Sequence, residues 1–253
     1  MINFQSFGES SDKHPLLIVH GLFGSARNWR GIGRNLSADR QVHVVDMRNH
    51  GDSFWDDDNS YDALGQDLAE VIEHLGGPMD VLGHSMGGKA AMVLALKHPA
   101  LVNRLIVADI APKAYQHDQV SNVQIMKNLD LSGFTRRSEA DAVLAQSVPE
   151  AAIRSFFLQS LIISDQGNRW QLNLDALGQN MDLIVGFPNV RGMFEGPSLF
   201  LRGGASPYVL DSDMSEIIEQ FSSAELSTIA GVGHWLHAEA PREFIAKVKA
   251  FLA

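Results

Sequence analysis

A serine between two glycines is the first feature of the sequence that could do chemistry. Gly83-His84-Ser85-Met86-Gly87 has the pattern G-x-S-x-G, with an apolar run at 79–82 before it and a helix-forming run at 89–97 after it. This order predicts a strand, a sharp turn and a helix, an arrangement that would lift the Ser85 hydroxyl above a sheet as a nucleophile. The alternative is an ordinary glycine-rich turn in which Ser85 only caps the helix. Lys89, one turn into that helix, is expected at the surface.

A serine nucleophile needs a base, because its hydroxyl reacts poorly near neutral pH. His234 is the best-placed histidine, since it ends the loop 230–234 directly after the last predicted strand. His237, three residues later, could suggest a metal pair, but a zinc site needs three or four ligands and nothing nearby supplies them. We therefore predict no metal site. Four further histidines are expected at the surface: His14, His74, His98 and His117.

A second glycine-flanked loop, residues 20–24, predicts the donors that would stabilise a negatively charged carbonyl oxygen. It ends the second predicted strand. The N–H groups of Leu22 and Met86 would then form an oxyanion hole with two donors. Arg48 and His50 are expected to brace this loop. The candidate substrate-binding residues are Phe23 and Trp235, with Phe156, Phe157 and Trp170 as candidates for an acyl pocket.

The elements that must position these residues alternate between short apolar runs and longer amphipathic stretches. Such alternation is typical of βαβ units around a mostly parallel central sheet flanked by helices. Near-continuous Leu, Ile and Val content is what strands covered on both faces require. The predicted strands are Ile2–Phe7, Leu16–His20, Val42–Met47, Met79–Gly83, Arg104–Asp109, Ser198–Leu201 and Ala224–Ile229. A final helix is predicted to begin at Pro241.

The alternation stops after Asp109, and a helical pattern continues to about residue 197. We predict one domain over 1–253, with a core of 1–111 and 198–253 and a helical cap inserted at 112–197. Ligands bind outside the carboxyl ends of the strands in such sheets, so the cap would cover the site. The helices predicted in the cap are Gln119–Leu129, Ser138–Gln146, Glu150–Ser164 and Asp175–Val185.

Composition excludes several classes of function. The chain has 253 residues and a formal charge of −10, which would repel nucleic-acid phosphates and anionic lipid. It contains no cysteine, which excludes disulfides, thiolate nucleophiles and iron–sulfur clusters. No apolar run approaches the ~20 residues of a membrane helix, and residues 1–9 do not resemble a signal peptide. We therefore expect a cytoplasmic protein that binds neither nucleic acid nor membrane.

Together these motifs resemble the α/β-hydrolases, and most closely the YbfF-type acyl esterases. The matching stretches are HGLFGS at 20–25, DMRNHG at 46–51, GHSMGGK at 83–89, DIAP at 109–112, GASPYV at 204–209 and GHWLHAE at 233–239. They are spread over almost the whole core, whereas the cap matches only loosely. The resemblance implies an α/β-hydrolase fold and a serine hydrolase of acyl esters or thioesters, without metal or organic cofactor.

One position departs from the pattern of that superfamily. In many members the acid of the catalytic triad follows the penultimate strand, in a turn of the form G-x-x-D-x-x-V. Here the turn 203–209 has Ser206 at that position, and a serine cannot stabilise an imidazolium. Asp109, at the end of the strand after the nucleophile helix, is the natural substitute. The other candidates are Asp211, Asp213 and Asp175.

The combined prediction is a carboxylic-ester hydrolase with the triad Ser85, His234 and Asp109, acting through an acyl-enzyme. Acyl-CoA thioesters are further candidate substrates. The expected partner is a small-molecule ester or thioester, and the expected state is a monomer or small homo-oligomer. Two alternatives stay open. One is a C–C bond hydrolase or haloperoxidase-like activity on the same triad, and the other is a ligand-binding scaffold with little or no turnover.

Overall fold

A computed structural model describes residues 1–116 and 119–253 of the chain. The surface position expected for His117 therefore lies outside the described residues. His14 and His74 are exposed as predicted, whereas His98 is half-buried.

The seven predicted strands are all present, with ends within two residues of those expected. The strands are β1 (Phe4–Phe7), β2 (Leu16–Val19), β3 (Val42–Val45), β4 (Met79–His84), β5 (Val102–Ala108), β6 (Leu161–Ile162), β7 (Arg169–Trp170), β8 (Ser198–Gly203) and β9 (Ala224–Ile229). Within the described residues the seven predicted strands join in one sheet of order β1-β3-β2-β4-β5-β8-β9, and β6 and β7 form a separate pair.

Parallel pairing brings the carboxyl ends of the central strands to one edge. Only the pairing of β1 with β3 is antiparallel, and the other pairs of this sheet are parallel. In register, Val19 of β2 lies opposite Gly83 of β4, and His84 lies opposite Ala108 of β5. The residues that follow these strands therefore emerge side by side, so Ser85 and Asp109 start from neighbouring strand ends.

Helices cover both faces of the sheet. On one face, the helices Ala26–Leu36 and Pro241–Phe251 bury side chains such as Trp29 and Phe244, and on the other the helices Tyr61–His74 and Met86–Lys97 bury Leu64 and Met92. Among the described residues, none of the helices is long and apolar enough to cross a membrane. The α-helices are α1 (Ala26–Leu36), α2 (Tyr61–His74), α3 (Met86–Lys97), α4 (Val120–Asn128), α5 (Arg137–Leu144), α6 (Ala151–Leu158), α7 (Leu174–Gln179), α8 (Met181–Val185), α9 (Met214–Gln220), α10 (Leu236–Glu239) and α11 (Pro241–Phe251). Short 3₁₀ turns lie at Pro99–Leu101 and Asp211–Asp213.

Residues 112–197, here called the cap segment, run from the end of β5 to the start of β8 and contain α4 to α8. That they form a separate cap on a single hydrolase domain remains our proposal. The helix predicted over Glu150–Ser164 is too long, because it ends at Leu158 and the chain then enters the pair β6–β7. The β-branched residues after Leu161 favour the extended form.

The helix predicted over Asp175–Val185 is divided into α7 and α8 at Asn180. The Asn180 side-chain amide donates to the carbonyl of Ala176 at 2.9 Å and to that of Asp57 at 2.8 Å. Asparagine side chains that bond to nearby backbone groups compete with the helical hydrogen bonds and favour a break. The same side chain also joins the cap segment to the core.

Candidate active site

Ser85 occupies a strained turn between β4 and α3. Its backbone has φ +54° and ψ −122°, in the region that favours glycine. The turn packs closely on the end of β2, because a Cβ built on Gly87 would lie 2.3 Å from the carbonyl oxygen of His20. A side chain at that position would push the turn away from the sheet. The predicted strand, turn and helix around the G-x-S-x-G motif are therefore present.

Positive φ values are concentrated around this turn. Among the described residues, the non-glycine positions with positive φ are Phe23, Asn49, Ser85 and Asp109. Three of these four are site residues predicted from the sequence. Such backbone conformations cost of order 1–3 kcal/mol each and cluster at active sites, where the surrounding structure holds them.

Ser85, His234 and Asp109 form a continuous chain of hydrogen bonds. The Nε2 atom of His234 lies 3.0 Å from the Ser85 hydroxyl oxygen, and its Nδ1 lies 2.8 Å from Oδ2 of Asp109. Because a carboxylate can only accept, Nδ1 carries a proton, which leaves Nε2 of the neutral ring to accept from Ser85. Asp109 is fully buried. This geometry allows a proton to pass from Ser85 to His234 while Asp109 orients the ring.

The Asp109 carboxylate is also held by the turn at the end of β8. The N–H of Gly203 donates to Oδ1 at 2.9 Å, and the hydroxyl of Ser206 donates to Oδ2. Ser206 stands where the superfamily pattern has its acid, and here its hydroxyl donates to Asp109. The sequence indicated that this position lacks a carboxylate, but it did not indicate that Ser206 would act as a hydrogen-bond donor.

The three other candidate acids are engaged elsewhere. Asp211 forms an exposed ion pair with Arg202 at 2.7 Å, and Asp213 receives Lys113 at 2.6 Å. Asp175 is exposed and pairs with Lys127. The structure therefore brings Asp109, and not these residues, to the histidine.

The predicted oxyanion loop lies directly beside Ser85. A Cβ built on Gly21 would lie 3.1 Å from the Cβ of Ser85. The N–H of Leu22 has no hydrogen-bond partner among the described residues. Met86 is the first residue of α3, where backbone N–H groups lack partners within the helix. Both amides are thus available to a ligand, as the oxyanion-hole prediction requires.

Two buried, neutral histidines brace this loop. His50 accepts the N–H of Phe23 through Nε2 at 3.2 Å and donates from Nδ1 to the carbonyl of Arg48. His20 likewise accepts the N–H of Met47 at 3.0 Å. Burial lowers the pKa of His20 and lowers that of His50 to about 3, so both rings stay neutral. The bracing role expected of His50 is present.

Arg48 supports this loop through its backbone carbonyl, which accepts from His50, and not through its side chain. Its guanidinium instead pairs with Asp67 of α2, at 2.6 and 2.8 Å. Two donors on one carboxylate form a rigid fork, which holds the Arg48 side chain against α2.

A cavity of about 250 Å³ lies above Ser85, between the core and the cap segment. It is lined on its apolar side by Leu22, Phe23, Met86, Phe156, Phe157 and Trp235. Phe23 and Trp235 therefore lie where a substrate would bind. Trp170 does not line the cavity, because it is buried within the cap segment and its indole N–H donates to the carbonyl of Met126 at 2.9 Å.

Lys89 is buried, so its expected surface position is wrong. Its ammonium donates to the carbonyls of Val185 and Gly186, at 2.8 and 2.5 Å, and so ties α3 to the end of α8. Burial lowers the Lys89 pKa to about 7. The apolar residues of α3 occupy all its faces, which is typical of a buried helix and could have indicated this position.

Two further histidines lie near His234: the His84 ring packs against its ring, and the His237 ring packs against that of His84. The Nε2–H of His84 donates to the His234 carbonyl at 2.9 Å, and the His237 ring stacks on Trp29 at 4.2 Å. Burial lowers the pKa of both His84 and His237, the latter to about 3. Across the described ranges 1–116 and 119–253, no group of three His, Asp or Glu side chains is arranged to hold a metal ion.

Comparisons with known proteins agree with this architecture. Residues 14–241 match the family model described as the alpha/beta hydrolase fold. The sn-1-specific diacylglycerol lipase ABHD11 of Mus musculus is 41% identical over 94% of this chain and 80% of its own length. Esterase YbfF of Escherichia coli K12 is 33% identical over 99% of this chain and 98% of its own.

A solved structure described as a marine microorganism esterase superposes with a TM-score of 0.94 at 38% identity, covering 99% of this chain and 98% of that one. The predicted fold and the predicted resemblance to YbfF-type esterases are confirmed, and the comparisons support a carboxylic-ester hydrolase. By the extent of the family match and the identity to these relatives, the chain belongs to the alpha/beta hydrolase fold family.

Proposed function

We propose that this protein hydrolyses carboxylic esters through a Ser85–His234–Asp109 triad and an acyl-enzyme intermediate. The observation that carries the proposal is the chain of hydrogen bonds from Ser85 through His234 to Asp109 at the base of a largely apolar cavity. The named activities of the relatives, a diacylglycerol lipase and esterases, support the same reaction class.

In the proposed acylation step, His234 accepts the Ser85 proton as the serine oxygen attacks the ester carbonyl carbon. The amides of Leu22 and Met86 stabilise the negative charge on the carbonyl oxygen. The tetrahedral intermediate then collapses, the bond to the alcohol oxygen breaks, and His234 gives its proton to that oxygen. The products of this half-reaction are a free alcohol and an ester of Ser85.

In the proposed deacylation step, water replaces the alcohol and follows the same path. His234 removes a proton from the water as it attacks the acyl carbon, and returns it to the Ser85 oxygen as the acid leaves. Asp109 stays ionised throughout and stabilises the imidazolium. One ester and one water thus give one acid and one alcohol.

Acyl-CoA thioesters are the less favoured substrates in this proposal. The formal net charge of −10 repels the polyanionic CoA leaving group unless basic residues of the cap segment attract it. Of the basic residues there, Lys113, Arg136 and Arg154 pair with carboxylates and Arg137 donates to backbone carbonyls, whereas Arg169 is exposed. We expect kcat/KM for simple acyl esters to exceed that for acyl-CoAs of equal chain length.

Ser85→Ala tests the proposal directly. We expect the wild-type protein to release p-nitrophenol from a p-nitrophenyl acyl ester with an initial burst, and to react covalently with a fluorophosphonate at Ser85. Ser85→Ala should lose both. Ser222→Ala, which changes an exposed serine, should keep both.

Unchanged turnover in Ser85→Ala would contradict the proposal. A folded wild-type protein that binds esters without turnover or labelling would favour the ligand-binding scaffold. A carbon–carbon bond hydrolase or haloperoxidase-like enzyme would label with the fluorophosphonate but would favour a β-diketone or a halide and peroxide over the ester.

A further inference from the structure

The ring of Tyr208 lies flat against the ring of His234. Their centroids are 4.1 Å apart and their planes differ by 23°, so the two rings stack. Tyr208 belongs to the loop after β8, two residues beyond Ser206. The mechanism above does not use it.

Two hydrogen bonds fix the backbone of Tyr208. Its N–H donates to the Ser206 hydroxyl oxygen at 3.3 Å, and its carbonyl accepts the hydroxyl of Tyr115 at 2.6 Å. The same Tyr115 oxygen accepts the N–H of Ala111, two residues after Asp109, at 2.8 Å. Tyr208 is therefore tied to the turn that holds the acid and to the strand end that carries it.

Tyr115 is itself held at the boundary between the core and the cap segment. Its N–H donates to the carbonyl of Val185 at 3.0 Å, the carbonyl that also accepts from Lys89. The Lys89 ammonium lies 4.7 Å from the centre of the Tyr115 ring, and the rings of Tyr115 and Tyr208 are 5.2 Å apart. The Tyr208 ring that stacks on His234 thus packs against the Tyr115 ring, which is itself held in place.

We propose that Tyr208 is a positioning residue for His234, because its stacked ring keeps Nε2 directed at Ser85 and stabilises the imidazolium that forms during the reaction. This inference rests on the proposed role of His234 as the base. Ser206 and Tyr208 then act from one turn, Ser206 on the acid and Tyr208 on the histidine.

The stabilisation of the His234 imidazolium follows from the geometry of the two rings. An aromatic face attracts a cation within about 6 Å of its centroid, so the Tyr208 ring favours protonated over neutral His234. The ring also blocks rotation of the imidazole away from Ser85 after it gains a proton. The other titratable groups near His234 are Asp109, His84, His237 and Glu239.

Two substitutions of Tyr208, by leucine and by phenylalanine, distinguish the effect of the stacked ring from the effects of side-chain volume and burial. Tyr208→Leu keeps an apolar side chain over His234 but removes the stacked ring. We expect its kcat to fall about 10-fold with little change in KM, and the acid limb of its kcat/KM profile to move down by about half a pH unit. Tyr208→Phe keeps the ring, and we expect it to match the wild type in kcat to about threefold and in the acid limb.

Each variant is compared with the wild type in thermal unfolding, and the rate of fluorophosphonate labelling reports Ser85 activation independently of ester binding. Leucine and phenylalanine variants of equal activity and equal pH profile would overturn the inference. So would a phenylalanine variant as impaired as the leucine one, because the hydroxyl and not the stacked ring would then matter. If Ser85→Ala abolishes turnover while Tyr208→Leu changes nothing, this inference fails and the proposed function stands.

Discussion

The hydroxyl of Ser206 donates to Oδ2 of Asp109, the same oxygen that accepts Nδ1–H of His234. Gly203 donates to the other carboxylate oxygen, so the acid is bound from three sides. A buried carboxylate is stabilised by such donors, and each donor also restricts its orientation. A serine at the usual position of the acid is therefore compatible with a complete triad.

Ser206→Ala should weaken catalysis without destroying it. The change removes one donor to a buried charge and leaves Gly203 and His234 in place. We expect kcat to fall about 10-fold, which corresponds to about 1.4 kcal/mol of transition-state stabilisation. Steady-state kinetics on a chromogenic ester would measure it, with Ser222→Ala as the exposed control. A kcat equal to that of the wild type would show that Ser206 does not support the acid.

Asp109→Asn should have a far larger effect. An amide cannot stabilise the imidazolium and favours the wrong tautomer of His234, so we expect kcat to fall roughly 10³–10⁴-fold. Asp211→Asn is the matched control, because Asp211 is an exposed acid near the vacant position. We expect this variant to keep kcat within about twofold. The reverse ranking of the two variants would remove Asp109 from the triad.

Gly21→Ala should disturb the oxyanion loop. The added Cβ would lie 3.0 Å from Nδ1 of His84 and 3.1 Å from the Cβ of Ser85, so the loop or the serine must shift. Displacing one oxyanion donor costs on the order of 10²–10³-fold in kcat, and we expect a loss of at least about 10-fold here.

Gly31→Ala is the control for that prediction. Gly31 lies in α1, and a Cβ built on it meets no heavy atom within 4 Å. We expect unchanged kcat and a free energy of unfolding that is equal or up to about 1 kcal/mol higher. If Gly21→Ala also keeps the wild-type kcat, residues 20–24 do not supply the oxyanion hole.

Burial of Lys89 predicts a pH-dependent contribution to stability. Its pKa is lowered to about 7 in the folded protein from 10.5, so between these values the unfolded chain binds more protons. Stability then rises with pH in this window, by at most about 1.4 kcal/mol per unit. In the Lys89→Met variant this rise is absent. We expect the free energy of unfolding of the wild type, minus that of the variant, to increase as pH rises from 7 to 10.

Denaturant titrations of both proteins at several pH values would measure that difference, in which the contributions of other groups cancel. Lys97→Met removes a lysine from the same helix at a position that is 39% exposed, and it shows how much of the difference depends on burial. A flat difference for Lys89→Met would contradict the lowered pKa.

The seven strands of the sheet were predictable because each is a short and nearly continuous apolar run, and the helices at 89–97 and from Pro241 were predictable from their helix-forming residues. The cap segment was less predictable. At Asn180 a side chain breaks a helix through bonds to a segment more than a hundred residues away, and no local pattern records such a contact. The same limit applies to Lys89, whose partners are backbone carbonyls of the cap segment.

Residue types and local spacing alone were enough to identify the candidate nucleophile in its turn, the candidate base after the last strand and the glycine-flanked oxyanion loop. Four carboxylates remained candidates for the acid, because distance along the sequence does not indicate which side chain reaches His234. Tertiary structure brings Asp109 to His234, since parallel strand register places the end of β5 beside β4 and β8. It also places the Ser206 hydroxyl and the Tyr208 ring around the proposed triad, because hydrogen bonds and ring stacking depend on distances that arise only when separate strands meet at one edge.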